Sequence, residues 1–286
     1  MQIGVVYPQI ELGGNPDAVR AIGRATEDNG FDYLLAYDHV VGAEHRDRDP
    51  ELWGPYSEND PFHEPMVMFG YLAGITERIG LATGVIIMPQ RQTVLLAKQA
   101  ADLDLLSGER LRLGVGVGWN WVEYDALGQD FSTRGRRANE QIEFMRRLWS
   151  EPLVDWKGEF DMIERGNVLP HPKRQIPIWV GGFSEPAWRR GATLGDGFMF
   201  AGTLERAMTG LDRLTAIAKE NGRDMTGFGK ELVRTRPGDA HTAIDDLRRW
   251  RDAGGTHFAI ASMDMGLDSI EAHIDFVAQV RDGAES

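Results

Sequence analysis

The chain has 286 residues, no cysteine, and 31 basic against 44 acidic residues, a formal net charge of −13. Its 42% hydrophobic and 26% charged content is that of a globular protein, and its length suits one large single-core fold. Without cysteine there is no disulfide framework and no thiolate metal site, the acidic balance argues against nucleic-acid or anionic-membrane partners, and no apolar run approaches the roughly 20 residues of a membrane span.

The opening MQIGVVYPQ reads as a strand without a basic and apolar leader before it, so a soluble, cytoplasmic protein is expected. Strand-like apolar or β-branched runs then recur near residues 3–7, 33–37, 79–87, 111–117, 176–181, 197–200, 228–234 and 257–262. Helix signals alternate with them. Asn15 and Pro16 open a helix that Gly30 closes, Pro65 opens a second to about Glu77, and a third runs from Val94 to Leu106 before Gly108. A fourth carries Ile142, Met145 and Leu148. Ser184 caps a fifth, Leu211, Leu214 and Ala218 mark a sixth, Asp239 caps a seventh, and Asp268 with Glu271 forms the capping box of the last.

Eight such units in one chain predict an α/β fold, a (β/α)8 TIM barrel, with residues 1–286 as a single domain. A doubly wound open sheet is disfavoured because the first turn, YPQIELGGNPD, lacks the G-x-G-x-x-G fingerprint. Two stretches are too long for ordinary barrel connections: residues 40–63 after strand 2, expected to cover the mouth, and residues 150–175 before strand 5.

In this fold the chemistry belongs where strands end and βα loops begin. That rule selects Tyr7 and Pro8, Asp38 and His39, Gly84 and Val85, Gly116 to Gly118, Gly181 to Ser184, Ala201 and Gly202, Arg234 and Thr235, and Ser262 and Met263. The stretch WVGGFSEPAW can present backbone N–H groups to a phosphate at a helix N-terminus, or can simply be a tight turn with an N-cap. GVGVGW is either a ligand-facing loop or a crowded barrel strand. His39 is a proton donor or a structural histidine. Arg134, Arg136 and Arg137 form a solvated face or meet an acidic cofactor tail, and Trp119 and Trp121 line a pocket or pack under a loop. Metal hydrolysis and serine hydrolysis lack their motifs: there is no H-E-x-x-H, no H-x-H after strand 1 and no G-x-S-x-G.

Three ordered strings, AYDHVVG (36–42), the run from DPFHEPMVMFGYLAG to RLRLGVGVGW (60–119) and IPIWVGGFSEPAWRRGATLGDGF (176–198), resemble the luciferase-like monooxygenase family, in its actinobacterial branch that uses the deazaflavin coenzyme F420. The resemblance implies a barrel with a flavin or deazaflavin at its C-terminal mouth, a small-molecule substrate and a homodimer. It further implies a non-proline cis peptide at Gly84-Val85 against the ring, and a phosphate turn formed by Gly181, Gly182, Phe183, Ser184 and Glu185. Asp38, Gly116, Val117, Gly118 and Asn120 complete the implied cofactor site, and His39, Asp38 and Glu64 are the implied acid/base candidates, Asp38 orienting His39.

Bacterial luciferase has an arginine on the flavin phosphate where this chain has Val117, which favours the single charge of the F420 phosphodiester over the dianion of FMN. Related glucose-6-phosphate dehydrogenases have an acidic residue where this chain has Trp119, which argues for a more apolar substrate. The expected activity is F420-dependent hydride transfer to or from a small organic substrate. Its rivals are an FMN-dependent monooxygenase served by a separate flavin reductase and a non-catalytic cofactor-binding barrel.

Overall fold

The computed structural model describes residues 1–285. Strand runs and helix runs alternate as the periodicities require. The strands are β1 (Gln2–Val6), β2 (Tyr33–Ala36), β3 (Gly80–Thr83), β4 (Ile86–Ile87), β5 (Leu111–Gly116), β6 (Val154–Lys157), β7 (Met162–Gly166), β8 (Ile178–Gly181), β9 (Gly197–Gly202), β10 (Gly229–Thr235) and β11 (His257–Ala261). The helices are α1 (Pro16–Asp28), α2 (Pro65–Ala73), α3 (Thr93–Ser107), α4 (Trp121–Ala126), α5 (Arg134–Ser150), α6 (Glu185–Leu194), α7 (Leu204–Glu220), α8 (Ala240–Asp252) and α9 (Ile270–Glu285).

Parallel pairing runs β3-β2-β1-β11-β10-β9-β8-β5, and β3 pairs back onto β5, closing the barrel. Because β3 and β4 form one stave broken at the cis Gly84-Val85 bond, the eleven strands amount to eight staves and one antiparallel hairpin, β6-β7.

Alternation along each stave sorts side chains into two layers. Leu35, Ala82, Met199, Val233 and Ala259 face the barrel axis. Their neighbours Leu34, Leu81, Phe198, Leu232 and Phe258 face outward against the helices. The lower end of the barrel is closed by a polar plug. Glu231 accepts hydrogen bonds from the Tyr33 hydroxyl and from Arg112 Nη2 (3.0 Å), and the Arg112 guanidinium lies 4.4 Å from the Tyr33 ring and 4.2 Å from the Trp179 ring.

The cap expectations hold at Asn15 and Asp239, whose side chains accept from the Asp17 and Thr242 amides. Gly108 stops α3 at φ 74°, a left-handed position that glycine reaches without steric cost. Two caps differ from expectation. Ser269, one residue past Asp268, accepts from the Ala272 amide, and Ser184 sits at the N-cap position of α6 without a side-chain hydrogen bond. Helix α2 ends at Ala73 rather than near Glu77, because Glu27 accepts from the Glu77, Arg78 and Ile79 amides and draws that segment away from helical pairing.

The stretch 150–175 is a hairpin rather than a loop. Its solvent face hides the alternation, and it is held by Trp156 stacked on Phe144 at 5.1 Å and by Glu140 accepting from the Glu159, Phe160 and Asp161 amides at its turn. Among the described residues no helix is long and apolar enough to cross a membrane.

Candidate active site

Two consecutive residues leaving an extended strand point to opposite faces. That geometry separates Asp38 from His39. Tyr37 joins the axial cluster, whereas Asp38 turns outward, 2% exposed, and accepts from the Ile87 amide at 2.8 Å and from Arg91 Nη2 at 2.7 Å. Arg91 bridges on to Glu64 at 2.9 Å, and Glu64 itself caps α2 through the Val67 amide.

Burial pushes the Asp38 carboxyl up, against the pull of Arg91 and the Ile87 amide; Arg91 is raised because Asp38 and Glu64 outweigh its own burial. Both carboxylates are therefore committed to a brace that ties β2, the β4-α3 connection and the start of α2. Asp38 does not orient His39, and Glu64 is occupied by Arg91 and its cap.

The partner of His39 is Glu123. Its carboxylate lies 3.7 Å from His39 Nδ1, with side chains 11% and 1% exposed. Glu123 also accepts from the Val40 and Val41 amides and from Gln90 Nε2 at 2.9 Å. Burial alone would raise this carboxyl, but the contacts from His39, Val41 and Gln90 hold it below the ordinary carboxylate range. A buried anion fixed on three donors faces the imidazole from its Nδ1 side and leaves the far nitrogen, Nε2, for a ligand. Asn120 belongs to the same clamp: it caps α4 through the Glu123 amide and donates to the Val41 carbonyl at 3.1 Å.

The spacing Asn120-x-x-Glu123 at a helix start is the local signal that marks this carboxylate. A capping box would turn it back on its own helix; the fold instead delivers it to the β2 loop.

Above His39 the long 40–63 segment folds back as expected of a mouth-covering loop. Phe62 and Tyr56 approach the imidazole with ring centroids at 4.8 and 5.2 Å, and Trp119 at 5.6 Å. Trp119 thus lies at the site, with His45 at 6.0 Å on its edge, whereas Trp121 opens α4 beneath the Arg48 guanidinium.

Beside it, three stave ends meet closely. A Cβ added to Gly116 or Gly181 would lie 2.4 or 2.6 Å from the Val85 methyls, so only glycine admits Val85 between them. Gly118, at φ 64°, passes over Ile87, where a Cβ would lie 2.9 Å from the nearest methyl, and the Val117 carbonyl accepts from the Tyr124 hydroxyl at 2.7 Å.

Gly182 and the exposed Phe183 and Ser184 lead into α6, whose first turn no side chain caps. The Glu185 carboxylate points away from that turn, held by Arg213 (2.6 Å) and Arg189 (3.2 Å), so only its backbone is available there. Arg206 lies over the Phe183 ring at 4.2 Å. The basic cluster divides: Arg134 covers Phe131, Arg137 donates to Gln129 and to the Arg91 carbonyl, and Arg136 pairs with Glu159 on the surface. Among the described residues no group of His, Asp and Glu has metal-binding geometry.

A family model described as luciferase-like monooxygenase matches residues 1–265. An uncharacterized protein of Mycobacterium tuberculosis is 34% identical over 246 residues, 82% of this chain and 81% of that one. The pyrimidine monooxygenase RutA of Allorhizobium ampelinum is 30% identical over 219 residues, 73% of this chain and 57% of the relative. An F420-dependent secondary alcohol dehydrogenase, solved with an F420-acetone adduct, shares the fold with a TM-score of 0.80 over 100% of this chain and 99% of that one, at 17% identity.

Proposed function

The chain belongs to the luciferase-like monooxygenase family, and from that premise we propose that it is an F420-dependent oxidoreductase acting on a small organic substrate at the C-terminal mouth of its barrel. The observation that carries the reading is the His39-Glu123 pair: a buried carboxylate stands 3.7 Å from Nδ1 of one imidazole at the mouth, which leaves Nε2 on the far side of the ring. Such a group takes or returns the proton that accompanies hydride transfer.

The residues fit a deazaflavin. Gly116, Val85 and Gly181 offer a floor without projecting side chains, the uncapped first turn of α6 offers backbone N–H groups to an anion, and Arg206 sets a single guanidinium beside that turn. Together with Val117 in place of an arginine, this donor set suits an anion of about one charge, a phosphodiester, better than the dianion of FMN. When bound, the deazaflavin would supply the hydride donor or acceptor; the chain would position it, exclude water and hold the proton on His39.

The 30% identity to a pyrimidine monooxygenase favours a second reading, an FMN-dependent monooxygenase. Titration of the purified protein with F420 and separately with FMN, followed by tryptophan fluorescence, distinguishes the two. Preferential F420 binding without oxygen consumption is the expected result; tight FMN binding with oxygen uptake on reduced flavin would replace the first reading by the second.

We also propose a homodimer. Helix α2 packs beside α3 and is apolar on both faces, leaving Val67 at 72% exposure, and the first turn of α3 adds Leu95 at 52%. A helix that is apolar all round calls for cover on its outer face.

A further inference from the structure

The proposed activity leaves the substrate open, and the inference here rests on that reading while narrowing it. His39 stands at the centre of a cluster of aromatic rings. Phe62 and Tyr56 meet it edge-on, at interplanar angles of 66° and 69°, and meet each other at 4.8 Å. Trp119 closes another side, fixed from behind: the backbone of Gly54 lies so near the indole that a Cβ there would fall 2.4 Å from its ring. Three segments thus converge on one imidazole: the end of β2, the 40–63 loop and the turn after β5.

Charge is arranged against anions. Arg91 is taken by Asp38 and Glu64, and Arg236 by Asp264. Arg48 lies over Trp121 with its Nε on the Glu44 carbonyl. Behind His39 stands the Glu123 carboxylate, held ionised by its donors. A carboxylate or phosphate entering the cluster would leave water for aromatic walls, meet no unpaired guanidinium from these three arginines, and approach a buried negative charge.

We propose that Tyr56, Phe62 and Trp119 form the substrate subsite and that it selects a flat, uncharged ring compound whose carbonyl or hydroxyl oxygen reaches His39 Nε2. The incoming ring takes over the ring contacts that the three side chains make with His39, edge-to-face from Tyr56 and Phe62 and tilted from Trp119. Tyr56 and Phe62 lie on a segment without regular secondary structure, so they can part without disturbing the barrel. His39 is then the orienting polar group that an apolar pocket needs.

The test is calorimetric titration of the purified protein, with and without added F420, using three probes: acetophenone, 4-acetylbenzoate and glucose 6-phosphate. Acetophenone is expected to bind about tenfold or more tightly than its carboxylated analogue, since an unpaired charge must be desolvated. Phe62→Ala and Trp119→Leu should each weaken acetophenone about two- to tenfold, the worth of one aromatic pair, with F420 affinity unchanged. A thermal melt of each variant separates loss of the subsite from loss of the fold, and Trp119→Phe, which retains a ring, should recover part of the affinity. Equal or tighter binding of either anion, no acetophenone binding up to its solubility limit, or unchanged affinity in folded variants would overturn the proposal. Failure of F420 to bind, with the preference for acetophenone intact, would remove the cofactor reading and leave the subsite standing.

Discussion

At the scale of single residues, the site turns on how Glu123 is spent. Its two oxygens receive the Val40 and Val41 amides and Gln90 Nε2 and face the His39 ring at 3.7 Å, so Glu123→Gln places a donor NH2 against one or more of those groups. The imidazole should then lose its fixed orientation without leaving the site. We expect kcat to fall about 10- to 10²-fold in Glu123→Gln, less than the 10²- to 10⁴-fold loss on removing the acid/base group in His39→Ala. F420 affinity should be unchanged in both. Hydride transfer followed by the deazaflavin absorbance, with cofactor titration alongside, checks this; full turnover in His39→Ala would remove the imidazole from the chemistry.

Much of this was legible in the residues and part was not. His39 stands at a strand end, where the fold rule selects it, and Trp119 directly follows the selected Gly116 to Gly118. Strand alternation already implies that Asp38 and His39 cannot both face the mouth, yet which of the two turns inward depends on the register of β2 between β1 and β3. Arg91 carries no local motif, and its role follows only from Asp38 and Glu64 converging on it.

At the scale of elements, two helices and one loop behave differently from their neighbours. α1 and α8 place apolar residues on one face, as helices over a barrel should; α2 and α3 do not. If their outer faces meet in a homodimer, the double variant Val67→Glu with Leu95→Glu should place like charges in that contact and run as a monomer in size-exclusion chromatography with light scattering, its far-ultraviolet circular dichroism unchanged. A wild-type protein that is monomeric at micromolar concentration would sink the idea. The 40–63 loop was expected to cover the mouth from its length and its departure point alone. That it brings Tyr56 and Phe62 onto His39 depends on its anchors, the buried Ala43 and Leu52 and the Gln9 side chain that accepts from the His63 amide.

At the scale of the whole molecule, the two ends of the barrel are built for different purposes. The lower end is a closed polar plug, in which His257 lies with its ring 4.6 Å from that of Trp179. Burial first, then the positive charges of Arg112 and the N-terminus, push the His257 imidazole down to about 3. The folded protein keeps His257 neutral, while the unfolded chain protonates it near pH ~6.5. Between those values the unfolded state binds more protons, so stability declines as pH falls from about 6.5 toward about 3. His257→Asn should flatten that acid limb in urea unfolding measured across the window; an unaltered slope would mean that other groups govern it. Since the plug lies at the opposite end from His39, the variant should retain cofactor binding.

Local pattern by itself determined the eight repeating units, most caps and the closed (β/α)8 architecture, because alternation of period two, helical spacing and Gly, Pro and Asn punctuation are properties of neighbouring residues. It also determined the mouth as the place for chemistry, once the barrel was inferred. Tertiary structure decided the pairings across the chain: Glu123 with His39, Asp38 and Glu64 with Arg91, Glu140 with the hairpin turn, Arg112 with Glu231. A buried carboxylate must find donors wherever the packed fold brings them, and which donors arrive is a matter of register and closure that no single segment encodes.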